Sequence, residues 1–175
     1  MGQNLLRPAV RREVEALLRS GAFTSVGAGP ICSSLSVAIT PPVRTSRYPA
    51  GVPWMAPSMR DRVRQGNSHA RWVATVCGLC LQLGIPSWVE NPDSSWLWKQ
   101  SSWRSLLRHA GVRTFRFDFC RFGTPWRKRT KFVHTLPGLA GATRRPSSFL
   151  TTRGVSGGDH SCPLVRNTQA RTQPV

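Results

Sequence analysis

The chain has 175 residues, 39% of them apolar, with seven tryptophans and a formal net charge of +18. That length predicts one domain with a real buried core, and the apolar content excludes a wholly disordered chain. The charge, carried by 25 basic residues of which all but Lys99, Lys128 and Lys131 are arginine, predicts salt-dependent attraction to polyanions, nucleic acid first among them. Arginine enrichment of this kind also arises from coding composition alone, without any designed groove.

The opening MGQNLLRPAVRREVEALL holds no apolar run suited to a signal peptide. No stretch approaches the roughly 20 apolar residues of a membrane span, and Leu6 stands where a myristoylation motif needs Ser or Thr. Membranes are therefore not expected as partners. The five cysteines, Cys32, Cys77, Cys80, Cys120 and Cys162, form an odd and scattered set. They read as free thiols in a reducing compartment. The expected localisation is intracellular, and nuclear if the source is eukaryotic.

Residues 9–20 (AVRREVEALLRS) place Val10, Val14, Leu17 and Leu18 on one face at helical spacing, with Gly21 as a stop. AFTSVGAG follows as a short strand that runs into GPICSS. Residues 37–58 contain Pro41, Pro42, Pro49, Pro53 and Pro57, so they read as a long loop, and loops of this length inside a domain tend to be functional. A second helix is expected over 59–83, polar in its first half and apolar in its second, ended by Gly84 and Pro86. Ser87–Glu90 read as a short buried strand closed by Asn91-Pro92, followed by a turn through Trp98 and a third helix over 101–109. VRTFRFDFC sets Phe115, Phe117 and Phe119 on one face, which is strand periodicity, and 130–136 (TKFVHTL) read as its partner after the turn at Gly123-Thr124-Pro125. Strands alternating with helices predict an α/β fold, a parallel sheet with helices on its faces, finishing in a hairpin. The expected domain spans 1–137. Residues 138–175 lack apolar periodicity and read as a disordered basic tail.

Ligands of an open α/β sheet sit beyond the carboxyl ends of its strands. Two strand ends carry unusual chemistry, GPICSS after the first and ENPDSS after the second. If those strands are neighbours, Cys32 and Glu90 share a rim, as a nucleophile beside a proton-handling carboxyl. The same residues also read as a small buried filler and a strand-end cap.

The set GAGPICSSLS, WVENP and FRFDFCRFGTPWRKRTKF resembles the catalytic half of a cytosine-5 DNA methyltransferase over roughly residues 10–136, the second half of a Rossmann-like sheet. In that family a Gly-Pro-Pro-Cys segment supplies the thiolate that attacks carbon 6 of a flipped cytosine. A Glu-Asn-Val segment supplies a carboxyl for N3 of the ring, and a Tyr-Gly-x-Pro-Gln-x-Arg-x-Arg segment helps hold the base and the nucleophile loop. The resemblance makes Cys32 the nucleophile and Glu90 the proton donor, with Asn91, Arg127, Lys128 and Arg129 positioning the base or the loop. Residues 37–58 take the place of the mobile loop that base flipping demands. Arg44, Arg47, Arg121 and Lys131 are read as contacts to the nucleic-acid backbone, DNA by resemblance.

The departures from the family pattern are specific. Ile31 replaces the proline before the cysteine and Pro92 replaces the valine. Trp126 stands for glutamine, while Lys128 and Thr130 stand for the two arginines; lysine keeps charge without the guanidinium fork and threonine keeps neither. The resemblance implies S-adenosylmethionine as methyl donor. The Gly-rich turn and acidic residue that bind it in the family have no counterpart in these 175 residues. The expectation is a nucleic-acid-binding domain that is inactive alone. The alternatives are half of a split enzyme completed by a partner chain, and a basic nucleic-acid-binding protein without catalysis.

Cys77-Gly-Leu-Cys80 lies in the apolar half of the second helix and reads as two core thiols one turn apart rather than a metal site. The tryptophans of SWVENPDSSWLWKQSSW, Trp88, Trp96, Trp98 and Trp103, read as core over the sheet, with base stacking as the alternative.

Overall fold

A computed structural model describes residues 5–122 and 128–139, without the side chains of Arg121 and Phe122. Helix α1 (Pro8–Arg19) starts on a proline, whose fixed φ suits the first helical turn. Strand β1 (Val26–Ala28) leads into a single 3-10 turn at Ser33–Leu35. Helix α2 (Pro57–Leu83) also starts on proline, two residues earlier than the sequence pattern suggests, and stops at Gly84 in the left-handed conformation. Strand β2 (Ser87–Pro92) extends through Asn91-Pro92. A 3-10 turn at Trp96–Lys99, helix α3 (Ser101–Leu106), strand β3 (Arg113–Asp118), a 3-10 turn at Phe119–Phe122 and strand β4 (Arg129–His134) complete the order.

The element order is the one expected, but the sheet is mixed rather than parallel. Its strands lie in the order β1-β2-β4-β3. β1 and β2 run parallel, with Ala28 opposite Val89. β4 turns back and runs antiparallel to both β2 and β3, with Glu90 and Phe115 each opposite Phe132. The hairpin therefore folds inward, and its second strand takes the ladder next to β2.

The second departure concerns the faces. A parallel sheet covered on both sides buries nearly every strand residue. β2 instead alternates strictly: Ser87, Val89 and Asn91 are buried, and Trp88, Glu90 and Pro92 are half-buried. Val89 and Val133 join Ala70, Val73, Ala74 and Cys77 of α2, Trp103 of α3, and Leu97 in the main core. On the far side of α2, Val76, Leu79 and Cys80 pack on Leu18 of α1. Helix α2 is thus sandwiched, with one apolar stripe toward the sheet and another toward α1. The described helices all pack on one side of the sheet, the side of Val89.

The tryptophan segment divides between the two sides. Trp98 and Trp103 are core residues in T-shaped contact at 5.2 Å, and the Trp103 indole N–H donates to the Ala70 carbonyl at 3.0 Å. Trp88 lies on the other face. Cys77 and Cys80 are buried free thiols, and burial pushes Cys77 up to about 12. That suits the core reading, because a thiol so raised is unreactive.

Burial holds His69 and His134 below the ordinary histidine value, with Arg11 acting in the same direction on His69. Their folded values lie under the unfolded value of 6.5, so the unfolded chain binds protons first as pH falls. Stability is complete above about pH 6.5 and declines below it. Thermal melts followed by circular dichroism are expected to shift downward between pH 7.5 and 5, and His134→Gln is expected to flatten that slope.

Candidate functional site

The parallel pairing of β1 with β2 brings the two strand ends of interest to one rim. After β1 the chain passes through Gly29 and Pro30, and the Asn91 side-chain amide donates to the Pro30 carbonyl at 2.8 Å. This buried hydrogen bond joins the Cys32 segment to the end of β2. Cys32 itself is exposed and caps the 3-10 turn, whose Ser34 and Leu35 are buried. The thiol is thus presented from a turn whose next residues are anchored.

The anchor is Arg44. All five of its N–H donors are used: Nε to the Ser34 carbonyl (2.6 Å), Nη1 to the Pro49 carbonyl and to Asn67 Oδ1 (both 2.7 Å), Nη2 to the Val63 carbonyl (3.2 Å) and to Ser34 Oγ (3.4 Å). Its acceptors are neutral, and burial lowers the guanidinium to about 10, which leaves it charged at neutral pH. Helix α2 approaches the same turn closely at Gly66, where a Cβ would collide with Ser34 Oγ. Arg44 therefore ties the loop, α2 and the Cys32 turn together. This corrects its reading as a backbone contact: at 2% exposure and with its donors spent, it cannot reach a phosphate.

Glu90 lies one residue before the Asn91 clasp and points to the other face of β2. Its Oε1 accepts from Lys128 Nζ at 3.0 Å and from Thr130 Oγ1 at 3.4 Å. Thr130 is fully buried, whereas the ion pair is partly exposed and contributes at most about 1 kcal/mol. Lys128 and Thr130 therefore both meet the carboxyl of the second segment. Lys128 also lies over the Phe119 ring at 4.9 Å.

The remaining candidates are dispersed. Arg129 is on the opposite face and pairs with Asp93 at 3.3 Å, as does Arg116 at 2.7 Å. Lys131 packs over the Trp98 ring at 4.9 Å, and its value is lowered by burial, then by Arg116, with Asp93 opposing. It is 9% exposed, which leaves it a poor phosphate ligand. Arg47 is exposed over Tyr48, which meets the highly exposed Trp54 edge-on at 5.4 Å. Arg127 and the side chain of Arg121 lie outside the described residues, as does the tail from residue 140.

The cavity behind β2 is walled mainly by Leu81, Val89, Leu106, Val112 and Val133. Of its polar groups, the Ser87 amide donates to Thr135 Oγ1 at 2.8 Å, while the buried His134 Nδ1 has no partner among the described residues. Among the described residues no group of three or more His, Cys, Asp or Glu side chains is placed to hold a metal ion.

Comparison with protein-family models, with curated proteins and with solved structures finds no match.

Proposed function

We propose that this chain is a cytosine-5 methyltransferase-like catalytic half, a DNA-binding domain that carries the base-activating residues and cannot complete methyl transfer by itself. The observation that carries the reading is the convergence of the three motif segments. They are far apart in sequence, yet Asn91 is tied to Pro30 at 2.8 Å and Glu90 to Lys128 at 3.0 Å. The segments that carry the thiol, the carboxyl and the cation thus meet at the carboxyl ends of adjacent parallel strands, which is where an open α/β sheet places its ligands.

The chemistry follows from the residue types. The Cys32 thiolate adds to carbon 6 of cytosine, and a carboxylic acid at Glu90 delivers a proton to N3 as charge moves across the ring. Carbon 5 is then nucleophilic. A base edge that reaches Glu90 competes with Lys128 for Oε1. On this reading the methyl donor is held by additional polypeptide. Without a donor, carbon 5 takes a proton from water, and reversal of the addition returns cytosine with its carbon-5 hydrogen exchanged.

The test combines two substrates. On cytosine-containing DNA in deuterium oxide, mass spectrometry is expected to show slow exchange at carbon 5 that disappears in Cys32→Ser. On DNA with 5-fluorocytosine, no denaturation-resistant adduct is expected, with or without S-adenosylmethionine. Absence of exchange by a chain that still binds DNA would sink the cytosine chemistry. An adduct that needs both Cys32 and the methyl donor would show a complete enzyme and overturn the incomplete one.

A further inference from the structure

The face of the sheet opposite the helices is aromatic. Trp88 of β2, Phe132 of β4, and Phe115 and Phe117 of β3 all point to it by strand alternation and register. They form one continuous row. Trp88 stacks on Phe132 at 5.4 Å and 13° between planes, Phe132 meets Phe115 at 4.9 Å, and Phe115 meets Phe117 at 5.7 Å. On β1 the row is continued by Gly27, which is exposed and lets the Trp88 indole lie where a Cβ would otherwise stand. All four rings are only half-buried, and the described helices lie on the other side of the sheet. A contiguous row of half-exposed rings across open strands marks an interaction surface.

The charge around this face selects the occupant. Arg113 shares the face by alternation and is exposed, and Lys128 stands over Phe119 at its rim. Arg116, Arg129 and Lys131 lie on the other face by register, so among the described residues the cations of this face are Arg113 and Lys128, the latter paired with Glu90 at 3.0 Å. Cations beside ring faces suit a ligand that is at once anionic and flat. Duplex DNA keeps its bases stacked inside, whereas a single strand offers both phosphates and free base faces.

We propose that this open face is a stacking platform for single-stranded DNA, with Trp88, Phe132, Phe115 and Phe117 under the bases and Arg113 and Lys128 toward the phosphates. The row ends beside Glu90, which shares the face of β2 with Trp88, so a strand laid across the rings leads toward the rim that carries Cys32. The choice of DNA rests on the cytosine reading above; the platform itself rests on the rings and the charge. Stacking needs no base-specific hydrogen bond, so the platform is indifferent to sequence.

The test is fluorescence anisotropy of a labelled 20-nucleotide single strand of mixed sequence against the full chain, over a range of salt concentrations. The double variant Phe115→Leu with Phe117→Leu keeps apolar volume and removes the rings. It is expected to weaken binding about ten-fold or more, since base–aromatic stacking is sensitive to ring loss. The salt dependence should stay unchanged, because phosphate contacts remain. Phe115→Tyr with Phe117→Tyr restores flat rings and is expected to restore affinity, which separates lost stacking from a damaged fold. Arg113→Gln should instead reduce the salt slope by about one.

A leucine variant that is folded and binds the strand as tightly as the parent overturns the platform and assigns the face to a protein partner. Equal affinity for duplex and single strand also overturns it, and preference for a single strand of RNA overturns the choice of DNA. The carbon-5 exchange experiment is scored separately. Loss of exchange with ring-dependent binding intact sinks the catalytic reading and leaves the platform standing.

Discussion

Replacing Arg44 with methionine is expected to lower the melting temperature by roughly 8–16 °C, corresponding to about 2–4 kcal/mol at a few degrees per kcal/mol. The estimate balances two effects. Removing the guanidinium orphans the Ser34 and Val63 carbonyls in the interior, at about 1–3 kcal/mol each. Against this, a cation whose value burial has lowered to about 10 no longer has to be desolvated, which returns part of the loss. Arg44→Lys is expected to be no better than methionine. It keeps the buried charge with three donors in place of five and lacks the planar fork that reaches Ser34, Pro49 and Val63 together. The comparison discriminates between interior and surface roles. A phosphate-contacting arginine would be rescued by lysine and would leave the melt unchanged on going to methionine, while weakening DNA binding. A melt within 2 °C of the parent, measured by circular dichroism, would sink the interior role.

Arg44 also illustrates where sequence stops being legible. An arginine in a proline-rich loop reads as a surface charge because nothing local marks its partners, which are mostly carbonyls brought in by the fold of the loop and by α2. The three helices, the strands and the loop are readable because each has a local cause: proline and glycine punctuation, helical spacing of Val14 and Leu18, alternation of Phe115 and Phe117. Which strands become neighbours has no local cause. The pairing of β1 with β2 could be stated only as a condition, and the insertion of β4 between β2 and β3 is invisible in chain order. The same limit applies to the aromatic row. Alternation shows that Phe115 and Phe117 share a face, but whether helices cover that face depends on where the crossovers run. Proximity in sequence groups Trp88 with Trp98 and Trp103, yet β2 sends it to the opposite side. At the candidate site, motif order gave Cys32 and Glu90. The contacts of Lys128 and Thr130 with Glu90 arise from register, Thr130 lying opposite Pro92.

Asn91→Asp should destabilise the chain at neutral pH by about 2–5 kcal/mol, although it changes only one atom of the side chain. Asn91 is 2% exposed, and its amide nitrogen donates to the Pro30 carbonyl. Its Oδ1 has no partner among the described residues. An ionised carboxylate there would set one oxygen against the Pro30 carbonyl and leave the other buried without a donor, which is the costly arrangement for a charge. Lys131, opposite in register, offers limited relief because its ammonium is held over Trp98. Protonation restores a donor toward Pro30, so the introduced acid acquires a folded value above its ordinary 3.9. The folded state then binds the proton more tightly than the unfolded one. The variant's deficit should shrink as pH falls through that raised value, opposite in sign to the histidine effect of the parent. Parallel melts of both proteins between pH 7.5 and 4.5 are expected to converge toward acid. Parallel curves with a constant gap would mean that Lys131 swings to pair with the acid, and that the tie between the Cys32 segment and β2 does not depend on the Asn91 amide.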